Sequence, residues 1–163
     1  MLFRSVALDT QDRIVVAGSS DQGTTGLDMV VLRYRPDGSL DTTFGNAGQV
    51  TVDFAGDTDR AWALLLQRDG KIVIGGEANM GSATTGVDFA LARLNPDGSL
   101  DAGFGTGGKL TQPMKSGSGT DVIYGLARQT VDGQDLLLAV GGEGDFLAAR
   151  FRPDGTLDGS WAQ

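Results

Sequence analysis

The sequence contains one block of residues three times. Asp28–Gly45 reads DMVVLRYRPDGSLDTTFG and Asp88–Gly105 reads DFALARLNPDGSLDAGFG, with ten of the eighteen positions identical at an offset of 60. A third copy, DFLAARFRPDGTLDGSW, begins at Asp145 after a further 57 residues. Self-similarity at this period is typical of a repeat architecture, in which each copy is one supersecondary unit.

Each unit predicts four short β-strands. In the second unit these lie near Trp62–Gln67, Ile72–Gly76, Phe89–Leu94 and Lys109–Gln112, and the third strand ends at the turn Pro96-Asp97-Gly98. Proline at the second turn position fixes φ, and the following Asp-Gly favours a tight reversal. Four such strands form an antiparallel sheet, and sheets repeated side by side predict an all-β fold of β-propeller blades. A β-sandwich and an open solenoid are the alternatives.

Composition narrows the function classes. The chain has 163 residues, 26 of them glycine, with no cysteine and no histidine. Without these residues there is no disulfide, no Cys- or His-ligated metal and no Ser-His-Asp triad. A net charge of −8 argues against a nucleic-acid partner. No apolar run reaches the roughly 20 residues of a membrane-spanning helix, and the first residues do not have the pattern of a signal peptide.

The repeat resembles a known family. The pattern LQRDGKIVIGG, followed by DFALARLNPDGSLDAGFGTGGK, is similar to the delta-60 repeat, a bacterial β-propeller-type family. The resemblance covers the whole chain and is nearly continuous over Gln67–Lys109, whereas the third unit does not have the Phe-Gly-x-x-Gly tail. It implies the propeller architecture and export or cell-surface display in large proteins. It implies no defined activity.

The length predicts three blades, at about residues 1–58, 59–120 and 121–163, with the last blade missing its final strand. Three blades do not close a ring, because propellers typically have four to eight. We therefore expect a homodimer, in which two three-bladed arcs form a six-bladed ring about a two-fold axis. The alternative is a longer protein whose other blades complete the ring.

Candidate ligand contacts lie at the rim opposite the Asp-Gly turns, where the loops differ between units. Loops on a rigid scaffold often carry the binding function of a protein. The first strands of the second and third units begin in parallel ways, DRAWAL and DVIYGL, near the predicted channel mouth. This places five candidates there: Asp59, Arg60, Trp62, Asp121 and Tyr124. The carboxylates could bind a cation, act as acid and base, or cap turns, and the aromatic rings could stack on a carbohydrate or fill the core.

One arginine recurs in the third strand of each unit, on the apolar face by alternation. A buried guanidinium needs a carboxylate partner. The repeated aspartates of the corner that follows are the natural candidates, so we predict the structural ion pairs Arg33, Arg93 and Arg150 with Asp41, Asp101 and Asp158. The aspartates do not have the spacing of a calcium-binding loop, so we predict no metal and no cofactor.

Three functional hypotheses remain. The first is a non-catalytic binding or scaffold module for a glycan, peptide or protein. The second is a hydrolase that works without histidine, through rim carboxylates or through Ser116 or Ser118. The third is a structural repeat segment of a large surface protein. The sequence has no G-x-S-x-G elbow and no glycine-rich phosphate loop, which favours a non-enzymatic function.

Overall fold

The computed structural model describes residues 1–24, 26–54, 57–81, 86–114, 119–142 and 146–161. The described residues form eleven β-strands and no helix, which confirms the all-β prediction. The strands are β1 (Leu2–Leu8), β2 (Ile14–Asp21), β3 (Leu27–Tyr34), β4 (Gln49–Val52), β5 (Asp59–Leu66), β6 (Ile72–Asn79), β7 (Val87–Leu94), β8 (Lys109–Gln112), β9 (Ile123–Val131), β10 (Gln134–Gly141) and β11 (Leu147–Phe151).

The strands form three antiparallel sheets, each a meander in which sequence neighbours pair. Blade 1 has the order β1-β2-β3-β4, blade 2 has β5-β6-β7-β8, and blade 3 has β9-β10-β11. The innermost strands β1 and β5 contact each other, as do β5 and β9. The blades therefore stand side by side around a common inner line, as in a propeller.

The first three strands of blade 2 are longer than the sequence predicts, whereas the fourth has the predicted bounds. We expected the second strand to end at Gly76, but β6 continues to Asn79, so that prediction is wrong. Gly76 lies inside this strand, and glycine is required there because a Cβ would overlap the carbonyl oxygen of Arg60 on β5. Glycine within a strand marks a close backbone approach as well as a turn.

The apolar core lies between the blades. One cluster fills the space between blades 1 and 2 and includes Met29, Phe44 and Ile74. A second lies between blades 2 and 3 and includes Phe89 and Phe104. At both junctions the apolar faces of adjacent blades are therefore buried against each other.

Each blade junction also has a polar contact, which we call the blade latch. At the first junction, Arg33 Nη1 of β3 donates a hydrogen bond of 2.5 Å to the carbonyl oxygen of Pro96, in the Pro-Asp-Gly turn of blade 2. The amide of Gly45 donates a bond of 2.8 Å to the carbonyl oxygen of Asp97 in the same turn. The second junction repeats both bonds at 2.6 and 2.8 Å, from Arg93 to Pro153 and from Gly105 to Asp154.

Candidate functional site at the inner strands

Each innermost strand contains one β-bulge, at the same position of the unit. The pairing of β1 with β2 skips Arg4, the pairing of β5 with β6 skips Trp62, and the pairing of β9 with β10 skips Tyr124. A bulge leaves a residue outside the ladder and redirects its side chain, and bulges are over-represented next to functional sites. The three redirected side chains thus come from equivalent positions of three blades.

These side chains contact one another in blade order. The Arg4 guanidinium carbon lies 3.8 Å from the centroid of the Trp62 ring. The Trp62 and Tyr124 rings meet edge to face, with centroids 5.6 Å apart and an angle of 79° between their planes. We call this set, Arg4, Trp62 and Tyr124, the inner-strand ladder.

The ladder offers both apolar and polar contacts to a ligand. Tyr124 is 53% exposed and Arg4 is also exposed, while Trp62 is half-buried between them. Trp62 Nε1 is buried and has no hydrogen-bond partner among the described residues. Aromatic rings with a polar end suit ligands that combine an apolar face with hydroxyl groups, and the guanidinium adds several donors.

The two aspartates expected at the channel mouth are inside the protein. Asp59 is fully buried, and Asp121 is nearly so. Asp59 Oδ2 accepts a hydrogen bond of 2.7 Å from the amide of Phe54, and Asp121 Oδ2 accepts one of 2.8 Å from the amide of Met114. Both carboxylates therefore anchor the connection that enters their blade.

The surroundings of Asp59 change its acidity. Burial raises the pKa of Asp59 to about 7, with the neighbouring charges of Asp53 and Asp28 adding to the effect against the Phe54 hydrogen bond. Burial disfavours the charged form of a carboxyl group, and nearby carboxylates act in the same direction. Asp59 therefore changes its protonation state near neutral pH.

Among the described residues, the carboxylates of Asp28, Asp53 and Asp59 form a group that could hold a metal ion. Their oxygens lie within 4.8 Å of one another. At the next blade junction the residue equivalent to Asp53 is Pro113, so the corresponding cluster contains one carboxylate fewer. A shared proton also explains how these three carboxyl groups can lie close together, because the raised pKa of Asp59 keeps that group protonated up to about pH 7.

Arg60, on the same strand as Trp62, is held by an ion pair. Its Nη1 is 2.8 Å from Oε1 of Glu77, on the adjacent strand β6. Sequence reasoning missed Glu77 as the partner, because only the register of β5 and β6 places it opposite Arg60. It also missed Arg4 as a candidate, although its offset of 58 from Trp62 was the available signal.

The recurrent arginines each contact the aspartate of their own blade. The Nε to Oδ2 distances are 2.8, 2.6 and 2.8 Å for the pairs Arg33–Asp41, Arg93–Asp101 and Arg150–Asp158. The first two guanidinium groups also lie over the rings of Phe44 and Phe104, at 4.5 and 4.7 Å. The serines of the hydrolase hypothesis, Ser116 and Ser118, lie outside the described residues.

A comparison with protein families identifies the repeat. Residues 12–44, 67–104 and 137–160, more than half of the chain, match the family described as a domain of unknown function (DUF5122) beta-propeller. The chain belongs to this family. The three matched segments of the DUF5122 propeller fall one in each blade and include all three Arg–Asp pairs. No curated protein matches the chain.

In this DUF5122 chain, no helix of the described residues is long and apolar enough to cross a membrane.

Proposed function

We propose that this β-propeller is a non-catalytic binding module that contacts a carbohydrate through the inner-strand ladder. The observation that carries the proposal is the alignment of three bulge residues, one from each blade, into a continuous row of Arg4, Trp62 and Tyr124. A bulge removes hydrogen bonds between the two paired strands. The repetition of bulges at one position of the unit therefore favours a function for the side chains that they redirect.

The neighbouring groups favour binding over turnover. An acid–base pair must reach the bond that it cleaves. Asp59 and Asp121 are buried and already accept backbone hydrogen bonds, and Arg60 is neutralised by Glu77. The exposed end of the ladder, at Tyr124, therefore has an aromatic surface and no carboxylate from this set.

The ladder contains one of the two tryptophans of the chain, which gives a direct test. In a Trp161→Phe background, Trp62 is the sole tryptophan, and phenylalanine is the residue found at the equivalent positions Phe44 and Phe104. The probes are cellohexaose, chitohexaose and hexagalacturonate, titrated while the Trp62 fluorescence is recorded. We expect a saturable change with at least one sugar, and a weakening of binding of at least tenfold in Tyr124→Ala.

Substitutions at two exposed arginines form a matched pair, one as the test and one as the control. Arg4→Ala removes the guanidinium that covers Trp62, whereas Arg35→Ala removes one from the Pro-Asp-Gly rim. We expect the first to weaken binding and the second to leave it unchanged. No fluorescence change with any of the three sugars contradicts carbohydrate binding and favours the purely structural repeat. Release of reducing ends from the same sugars contradicts the non-catalytic assignment.

We also infer from the resemblance to the delta-60 repeat that this propeller is bacterial and is exported or displayed on the cell surface. The test is protease shaving of intact cells that express the native gene, followed by immunoblotting. Loss of the signal in intact cells supports surface display, whereas a signal that is lost only after lysis contradicts it.

A further inference from the structure

The two end faces of the three-blade arc have the chemistry of its internal junctions. Phe146 of blade 3 occupies the position of Met29 in blade 1 and of Phe89 in blade 2. Met29 and Phe89 are buried between blades, whereas Phe146 is 80% exposed. The outer face of blade 3 therefore presents a side chain that the other two blades bury in the core.

Blade 1 presents the complementary face. Val6 and Leu8 on β1 are 66% and 63% exposed. By strand register they are equivalent to Leu64 and Leu66 on β5, which pack against the core between blades 1 and 2. A contiguous apolar surface of this kind normally marks an interaction site.

Both halves of a third blade latch are also present. On blade 3, Arg150 is held by Asp158 and lies 5.7 Å from the ring of Trp161, as Arg93 is held by Asp101 and lies over Phe104. We call this group, Arg150, Asp158 and Trp161, the latch socket. In the internal latches, Nη1 of the equivalent arginine donates a hydrogen bond to a proline carbonyl oxygen. Nη1 of Arg150 donates instead to Oε1 of Gln129, at 2.9 Å.

The matching turn stands on blade 1. The Pro36-Asp37-Gly38 turn is exposed, and a Cβ at Gly38 would have no atom within 4 Å. The equivalent glycines are crowded, since a Cβ at Gly98 would lie 2.6 Å from the amide of Gly45, and one at Gly155 would lie 3.0 Å from the amide of Gly105. The turn of blade 1 thus has the form of a latch turn without an internal socket.

We propose that the latch socket of blade 3 receives the Pro36-Asp37-Gly38 turn of a second copy of this chain. The second copy in turn receives the same turn of the first. Two identical junctions related by a two-fold axis then close two three-bladed arcs into one six-bladed ring. In each new junction Arg150 exchanges Gln129 for the carbonyl oxygen of Pro36, and Phe146 becomes buried against the exposed face of β1. This inference concerns assembly and does not depend on the carbohydrate proposal, although by the same equivalence it places Arg4 of the second copy beside Tyr124, where the inner-strand ladder continues.

The decisive substitution is Gly38→Ala. Within one chain the added methyl group meets open space, whereas in the proposed junction it meets backbone, as it would at Gly98. The matched control is Gly107→Ala, which has a positive φ of 62° and equally open surroundings. Alanine already occupies the equivalent position of blade 1, as Ala47 with a φ of 50°.

The measurement is mass by multi-angle light scattering at 10 to 100 µM, with circular dichroism as the check on folding. From a chain mass of 16.9 kDa, we expect twice that mass for the wild type and for Gly107→Ala. We expect the mass of one chain for a folded Gly38→Ala. A monomeric wild type, or an open series of larger species, overturns the closed ring. A dimeric Gly38→Ala overturns the latch as its interface.

Crosslinking separates this arrangement from other dimers and does not depend on a destabilising variant. The chain has no cysteine, so Ser39→Cys and Gly159→Cys each introduce a single thiol, one beside the turn and one in the socket. A short bismaleimide should link a mixture of the two variants as heterodimers and should link neither variant alone. Efficient linkage of either variant to itself overturns the head-to-tail arrangement.

Discussion

Arg93 Nη1 donates a hydrogen bond of 2.6 Å to the carbonyl oxygen of Pro153, sixty residues away on the next blade. Nε of the same guanidinium lies 2.6 Å from Oδ2 of Asp101, in the corner of its own blade. One planar side chain therefore joins a local ion pair to the inter-blade contact, which a lysine could not do with the same fixed geometry.

Arg93→Ala should lower the free energy of unfolding by about 3 kcal/mol, because it removes one partner of a buried charge and leaves the carbonyl of Pro153 without its donor. Urea denaturation monitored by circular dichroism measures the change. Arg35→Ala, an exposed arginine of the same motif, serves as the control and should change stability by less than about 1 kcal/mol. Equal effects of the two substitutions would contradict the latch.

Half of this arrangement could be predicted from the sequence. The repetition of arginine and aspartate together with strand alternation indicates that Arg93 pairs with Asp101, and these side chains do lie together. The carbonyl of Pro153 could not be predicted, because any backbone oxygen has the same chemistry and only the packing of blade 3 on blade 2 selects this one. Lys71, whose Nζ lies 3.0 Å from Asp101, was also missed, because only the pairing of β6 with β7 brings it to this corner of blade 2.

Gly98→Ala should destabilise the protein strongly. Its Cβ would lie 2.6 Å from the amide of Gly45, so the turn of blade 2 could not approach the corner of blade 1. Overpacking of this kind costs about 1–3 kcal/mol, and the positive φ adds to it. Gly107→Ala has the cost of the positive φ without the overpacking. The difference between the melting temperatures of the two variants therefore isolates the effect of the close backbone approach at Gly98. A difference near zero would contradict it.

The candidate site shows where sequence reasoning fails. The alignment of DRAWAL with DVIYGL indicates that Asp59 and Asp121 occupy equivalent positions, but it does not show that both are buried and accept hydrogen bonds from backbone amides. The contact between Arg4 and Trp62 depends on bulges, and a bulge inserts a residue without any distinct sequence signal here. Alternation along the strand assigns such residues to the wrong face.

Thr43→Val should make the protein more sensitive to acid. The Thr43 hydroxyl donates a bond of 2.7 Å to Asp41 Oδ1 and lowers the pKa of Asp41 to about 2, with Arg33 adding to the effect. A lowered pKa stabilises the fold above the unfolded value of 3.8, and this contribution is lost as the pH falls toward 2. The acid midpoint should therefore rise by a few tenths of a pH unit. Thr42→Val is the control, and an equal shift in both variants would argue against this bond.

Asp59→Asn should stabilise the protein at alkaline pH and not at acidic pH. The folded state keeps Asp59 protonated up to a pKa of about 7, whereas the unfolded chain releases this proton near 3.8. The folded state thus binds more protons between these values, so this group makes stability fall as the pH rises from about 4 to 7. Asparagine resembles the protonated acid and removes the loss.

Each unit of pKa difference corresponds to about 1.36 kcal/mol, so we expect Asp59→Asn to be more stable than the wild type by on the order of 4 kcal/mol at pH 8 and nearly equal to it at pH 4. Urea unfolding at a series of pH values measures this. Asp132→Asn changes the net charge equally but lies on an exposed turn, so its effect should be small at every pH. If Asp59→Asn is instead less stable than the wild type at pH 8, the folded protein holds the Asp59 carboxylate as an anion. That result would favour a cation between Asp28, Asp53 and Asp59 over a shared proton.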